Sequence, residues 1–155
     1  MYYYFEEDYD EDWVDPDITD YFIDRLTRMC KKLDIQVHWG NLNPYTPPAS
    51  SPKNKTIAMN NNWHIPEQKP FQMAHEMAHC EHKDDEFAIL YFNTDIKDDM
   101  EYDANIDAIR LLVRLFADRL DHPEQMDYLK FEKCFGIPNE LSCVVREAVA
   151  TYALN

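Results

Sequence analysis

A chain of 155 residues, 45% of them apolar, is long enough to bury a core, which excludes a wholly disordered polypeptide. Its 30 Asp and Glu against 15 Lys and Arg give a formal charge of -15, which opposes direct binding to nucleic-acid backbones or anionic membrane surfaces. With 2 glycines there is no glycine-rich phosphate loop, and the 4 cysteines form no CxxC pair, so they read as reduced thiols of a cytoplasmic protein.

Residues 1–17 form an acidic N-terminal arm with interleaved aromatics: Tyr2, Tyr3, Tyr4, Phe5, Tyr9 and Trp13 sit among Asp and Glu, and no basic residue occurs before Arg25. This is the reverse of a basic export signal, and no run of eighteen apolar residues follows. A soluble, unexported protein is expected. The arm is expected to steer the protein electrostatically toward a basic partner, an attraction that salt would weaken.

Ile18, Phe22, Leu26, Met29 and Leu33 recur at helical spacing, with Asp17 placed to cap the helix they define. Ile35, Val37 and Trp39 then alternate with polar residues as a short strand, followed by a long proline-rich loop. Residues 56–59, Thr-Ile-Ala-Met, read as a second strand. Further helices are predicted at about 67–81, 98–120, 124–135 and 139–154, with Pro123 and the Gly136-Ile137-Pro138 triplet as punctuation. The expected organisation is one domain over 18–122 with a C-terminal helical pair, 123–155, packed on it.

The string His75-Glu76-Met77-Ala78-His79 falls inside a predicted helix. Imidazoles four residues apart lie one turn above each other and can reach one metal ion, while Glu76 is placed to act on water rather than on the metal. That is the HExxH arrangement of zinc peptidases. Apolar stripes through Phe71, Ala74 and Ala78 and through Met73, Met77 and Cys80 predict a largely buried helix, whose histidines need partners. His82 lies seven residues after His75 on a similar face and is a candidate outer-shell group. The longer metzincin motif is excluded, because its glycine would fall at His82 and its third histidine at Asp85.

Catalytic zinc needs a third ligand, and the next helix offers Glu101 or Asp103. Ala104, Ala108, Leu111 and Leu115 mark its buried face, one turn beyond Glu101. Asp103 continues instead into the charged stripe Asp107, Arg110, Arg114 and Asp118. A carboxylate on an apolar face needs a partner, so the spacing favours Glu101. His38, His64 and Tyr102 are candidate oxyanion groups among which spacing does not choose.

These two segments, QMAHEMAHCEH and EYDANIDAIRLL, together resemble the ImmA/IrrE family of metallopeptidases, in which HExxH is followed by a helix patterned E-x-x-A-N/D-x-x-A-x-x-L-L. Glu101, Ala104, Asn105, Ala108, Leu111 and Leu112 occupy those positions, and the resemblance spans about residues 18–120. It implies an α+β zincin-like domain, mostly helical with a small β-sheet. It implies zinc held by His75, His79 and Glu101, Glu76 as general base, and Asn105 as an outer-shell residue. It also implies a substrate, a helix-turn-helix repressor cleaved to switch on mobile-element or stress genes. Asp107 departs from the family pattern, which often has an aromatic residue there. The rival functions are a non-cleaving acidic module that occupies a basic partner, and a DNA mimic. Intact His75, Glu76 and His79 weigh against pure mimicry, which has no use for a metal.

Overall fold

The computed structural model describes residues 16–84 and 94–154; the arm, apart from its last residues, and Asp85 lie outside them. Helix α1 spans Pro16–Lys32 and buries Ile18, Phe22, Leu26 and Cys30, one residue per turn, with Met29 and Leu33 half-buried beside them. It begins two residues earlier than the capping role for Asp17 requires. Proline opens it instead, since its fixed φ suits a first helical position whose N–H has no partner within the helix.

Asp34, at φ 58, ends α1 in a left-handed turn in which Ile35 N–H bonds Cys30 C=O at 2.8 Å. That turn sends the chain straight into strand β1, Gln36–Gly40. Two more strands follow, β2 at Ala49–Ser51 and β3 at Thr56–Asn60. The sheet order is β1-β3-β2, with β1 parallel and β2 antiparallel to β3, and Ser50 opposite Ile57. Central β3 alternates as the period-2 rule requires, burying Ile57 and Met59 and exposing Ala58.

Strand β2 lies within the stretch expected to be an irregular loop. The rest of that loop is held by Asn60, which is 1% exposed. Its Oδ1 accepts from the N–H groups of Leu42 and Asn62, and its Nδ2 donates to the carbonyls of Asn43 and Thr46. Both donors and both acceptor sites of the amide are thereby used.

Helix α2, Lys69–His82, follows a short 3-10 turn at Pro66–Gln68 and packs against α1, β2 and β3. Nine of its fourteen residues are buried, which explains its apolar character on several sides. Helix α3, Thr94–Ala117, lies against α2 and buries Ala104, Ala108, Ile109, Leu112 and Phe116. Two shorter helices follow, α4 at Tyr128–Phe135 and α5 at Ser142–Leu154. Each starts later than its apolar pattern suggests, because 3-10 turns at Pro123–Gln125 and Asn139–Leu141 occupy the positions before it.

Four phenylalanines join these helices: Phe135 meets Phe22 edge-on at 4.8 Å and Phe131 at 4.9 Å, and Phe131 meets Phe116 at 5.4 Å. Gly136 ends α4 at φ 57, and a Cβ there would lie 2.8 Å from Gln68 Cγ. Gln68 cannot retreat easily, because its Nε2 donates to Gly136 C=O and its Oε1 accepts from Trp63 Nε1, each at 2.8 Å. Gly136→Ala is therefore expected to lower stability by about 1–2 kcal/mol from the left-handed backbone alone, and more from the overlap. A lower urea midpoint at unchanged m-value is the readout. Among the described residues no helix is long and apolar enough to cross a membrane.

Candidate metal centre

The HExxH residues lie in the middle of α2, where the helix is packed on both sides. His79 is buried and His75 half-buried, their rings edge to face at 4.7 Å as residues one turn apart should be. Opposite them, α3 brings Glu101. Its Oε2 lies 2.9 Å from His75 Nε2, its Oε1 lies 3.0 Å from His79 Nε2, and the two Nε2 atoms are 3.1 Å apart. All three donor groups fall within 4.8 Å of one another.

The outer nitrogens decide what faces inward. His75 Nδ1 lies 2.7 Å from Asn105 Oδ1, and His79 Nδ1 lies 2.8 Å from Asp84 Oδ2. Both oxygens only accept, so both Nδ1 atoms donate, and each neutral ring presents a lone pair at Nε2. Two lone pairs and a carboxylate facing one point repel one another unless a positive charge lies among them. The donor set therefore fits a metal cation, and nitrogen with carboxylate oxygen suits zinc-like ions.

Without a metal, protons must serve. Burial opposes charge on His79, yet hydrogen bonds to Glu101 and Asp84 outweigh it and push its pKa up to about 9. Hydrogen bonds from His75 and His79 hold Glu101 well below the usual carboxylate range. The exposure is graded: the His79 side chain is 3% exposed and that of Glu101 36%, so the site opens to solvent on the Glu101 side.

Glu76 is buried, and burial is the main reason its carboxyl lies above its ordinary value. A hydrogen bond from Ser50 on β2 and the nearby His75 and His79 partly offset that rise. Edge strand β2 thus borders the Glu76 carboxylate.

Residues 30–143, nearly three-quarters of the chain, match the IrrE N-terminal-like domain. The chain belongs to the ImmA/IrrE metallopeptidase family. A comparison with curated proteins and one with solved structures each gave no match. Membership makes this ImmA/IrrE chain a metallopeptidase, with His75, His79 and Glu101 as its metal-binding group.

Of the other residues singled out in the sequence, Asn105 bonds His75, and Asp103 is exposed on the face of α3 that carries Asp107, Arg110 and Arg114. His82 bonds Asp107 and reaches His79 only by way of Asp84, 3.7 Å from its Nδ1. His38, His64 and Tyr102 are exposed, and His64 is held by Pro44 C=O. Sequence reasoning missed Ser50 and Asp84. Ser50 lies in an unforeseen strand, and Asp84 stands beyond the end of the motif helix, where periodicity gives no signal.

Proposed function

We propose that this protein is a zinc-dependent endopeptidase of the cytoplasm that cuts a helix-turn-helix repressor and so switches on genes of a mobile element or a stress response. The observation that carries the catalytic part is the convergence of two imidazole lone pairs and the Glu101 carboxylate beside the buried Glu76. The substrate assignment draws support from family membership and from the formal charge of -15, which suits a partner that is basic where it meets DNA. It needs no direct contact with nucleic acid. The catalytic unit comprises residues 18–122, with 123–155 as a helical pair packed on it and 1–17 as an appended arm.

His75, His79 and Glu101 hold zinc, which supplies Lewis acidity toward a peptide carbonyl and toward water. Glu76 is the general base. Its carboxylate accepts a proton from the attacking water and returns it to the leaving amine. Asn105 holds His75 in the tautomer that turns Nε2 inward. His82 braces the end of α2 against α3 through Asp107.

Incubating the zinc-loaded protein with a helix-turn-helix repressor encoded beside it tests the assignment. Discrete repressor fragments that disappear with a chelator are expected, together with loss of operator binding. An intact repressor in a stable complex would replace the peptidase by the occupying module, and no interaction would remove the repressor as partner.

A further inference from the structure

We propose that Asp84 is a positioning residue for His79, delivered by a left-handed turn at Lys83 to fix the imidazole with Nε2 facing Glu101 and His75. The inference rests on the reading of those three residues as metal ligands.

Were α2 to continue, residue 84 would lie about 140° around the helix from residue 79, too far to meet its ring. Lys83 adopts φ 55, ψ 42 and turns the chain back. Asp84 N–H then bonds His79 C=O at 3.1 Å, and Asp84 Oδ2 accepts from His79 Nδ1 at 2.8 Å. One residue thus grips both the backbone and the ring of His79. Left-handed backbone is uncommon for a residue with a Cβ, and here the turn is closed by Lys83 N–H on Cys80 C=O at 3.2 Å together with the Asp84 N–H bond.

The same carboxylate oxygen lies 3.7 Å from His82 Nδ1, whose Nε2 meets Asp107 on α3. His82 therefore sits between two carboxylates and ties the turn to the helix that carries Glu101 and Asn105. The Asp84 side chain is 12% exposed, so water competes weakly for it. The two imidazoles also differ in their supports. His75 has a neutral amide partner and His79 a carboxylate, which holds one tautomer more firmly and makes Nε2 the better donor.

Wild type, Asp84→Ala and Asp84→Asn are compared by zinc competition with a chelator and, in metal-free protein, by NMR of the His79 Nδ1 proton. Asp84→Ala is expected to weaken zinc about 10–100-fold and to erase that hydrogen-bonded proton, while the His75 proton on Asn105 persists. Asp84→Asn keeps an acceptor oxygen, so it should restore the proton at an altered shift and bind zinc between the other two. Zinc affinity of Asp84→Ala within about twofold of wild type, or an unchanged His79 proton, overturns the proposal. If Asp84→Ala does not fold, Asp84→Asn decides alone: a shifted proton and weakened zinc support it, and values identical to wild type overturn it. A wild type that shows the protected proton but takes up no zinc would sink the zinc reading and still support the grip of Asp84 on His79.

Discussion

Glu76→Gln will retain its metal and its fold and will lose proteolysis by a factor of about 10²–10⁴, the range typical of a general base. The amide has nearly the shape of the carboxylate, and its carbonyl oxygen still accepts from Ser50, so the Ser50 hydroxyl keeps its acceptor. The variant loses basicity. Glu76 is raised chiefly by burial, which disfavours the charged form, so a neutral amide at this site carries no desolvation penalty of that kind. Metal content and thermal midpoint should stay near wild type while cleavage of a verified substrate falls. Cleavage at a near wild-type rate would remove Glu76 from the mechanism.

Glu101→Ala will release most of the metal, and Asp103→Ala will keep it. Glu101 supplies oxygens 2.9 and 3.0 Å from the two Nε2 atoms, whereas Asp103 is exposed two residues away. Removing the carboxylate leaves two neutral nitrogens, too few for a catalytic zinc site. The loss should exceed the roughly 10–100-fold that outer-shell substitutions cause. Elemental analysis after dialysis against a weak chelator reads both variants, and the reverse pattern would overturn the ligand assignment.

Much of this site can be read from residue spacing because helices are periodic. The four-residue interval of His75 and His79 sets their stacking before any tertiary contact is known, and the apolar face of α3 aims Glu101 and Asn105 toward α2. The charged stripe from Asp103 correctly reads as solvent-facing for the same reason. Interactions that depend on a break in periodicity are illegible. Asp84 reaches His79 through a left-handed residue that is a lysine, where glycine would have been the usual marker. Strand β2 has three residues, Ala-Ser-Ser, too short and too weakly patterned to stand out between prolines. The 3-10 turns ahead of α2, α4 and α5 blur helix starts, since their residues follow nearly the same spacing as the helix proper.

The buried amide of Asn60 has an entropic consequence for catalysis. Pro44, Pro47 and Pro48 restrict the segment before β2 even in the unfolded chain, so ordering it forfeits less conformational freedom than ordering an unrestricted loop. Three hydrogen bonds to one side chain can then hold a segment that has almost no regular structure. Ser50 lies at the end of that segment and donates to Glu76. The proposed general base is therefore steadied by a stretch whose stiffness is written into its covalent structure before folding begins.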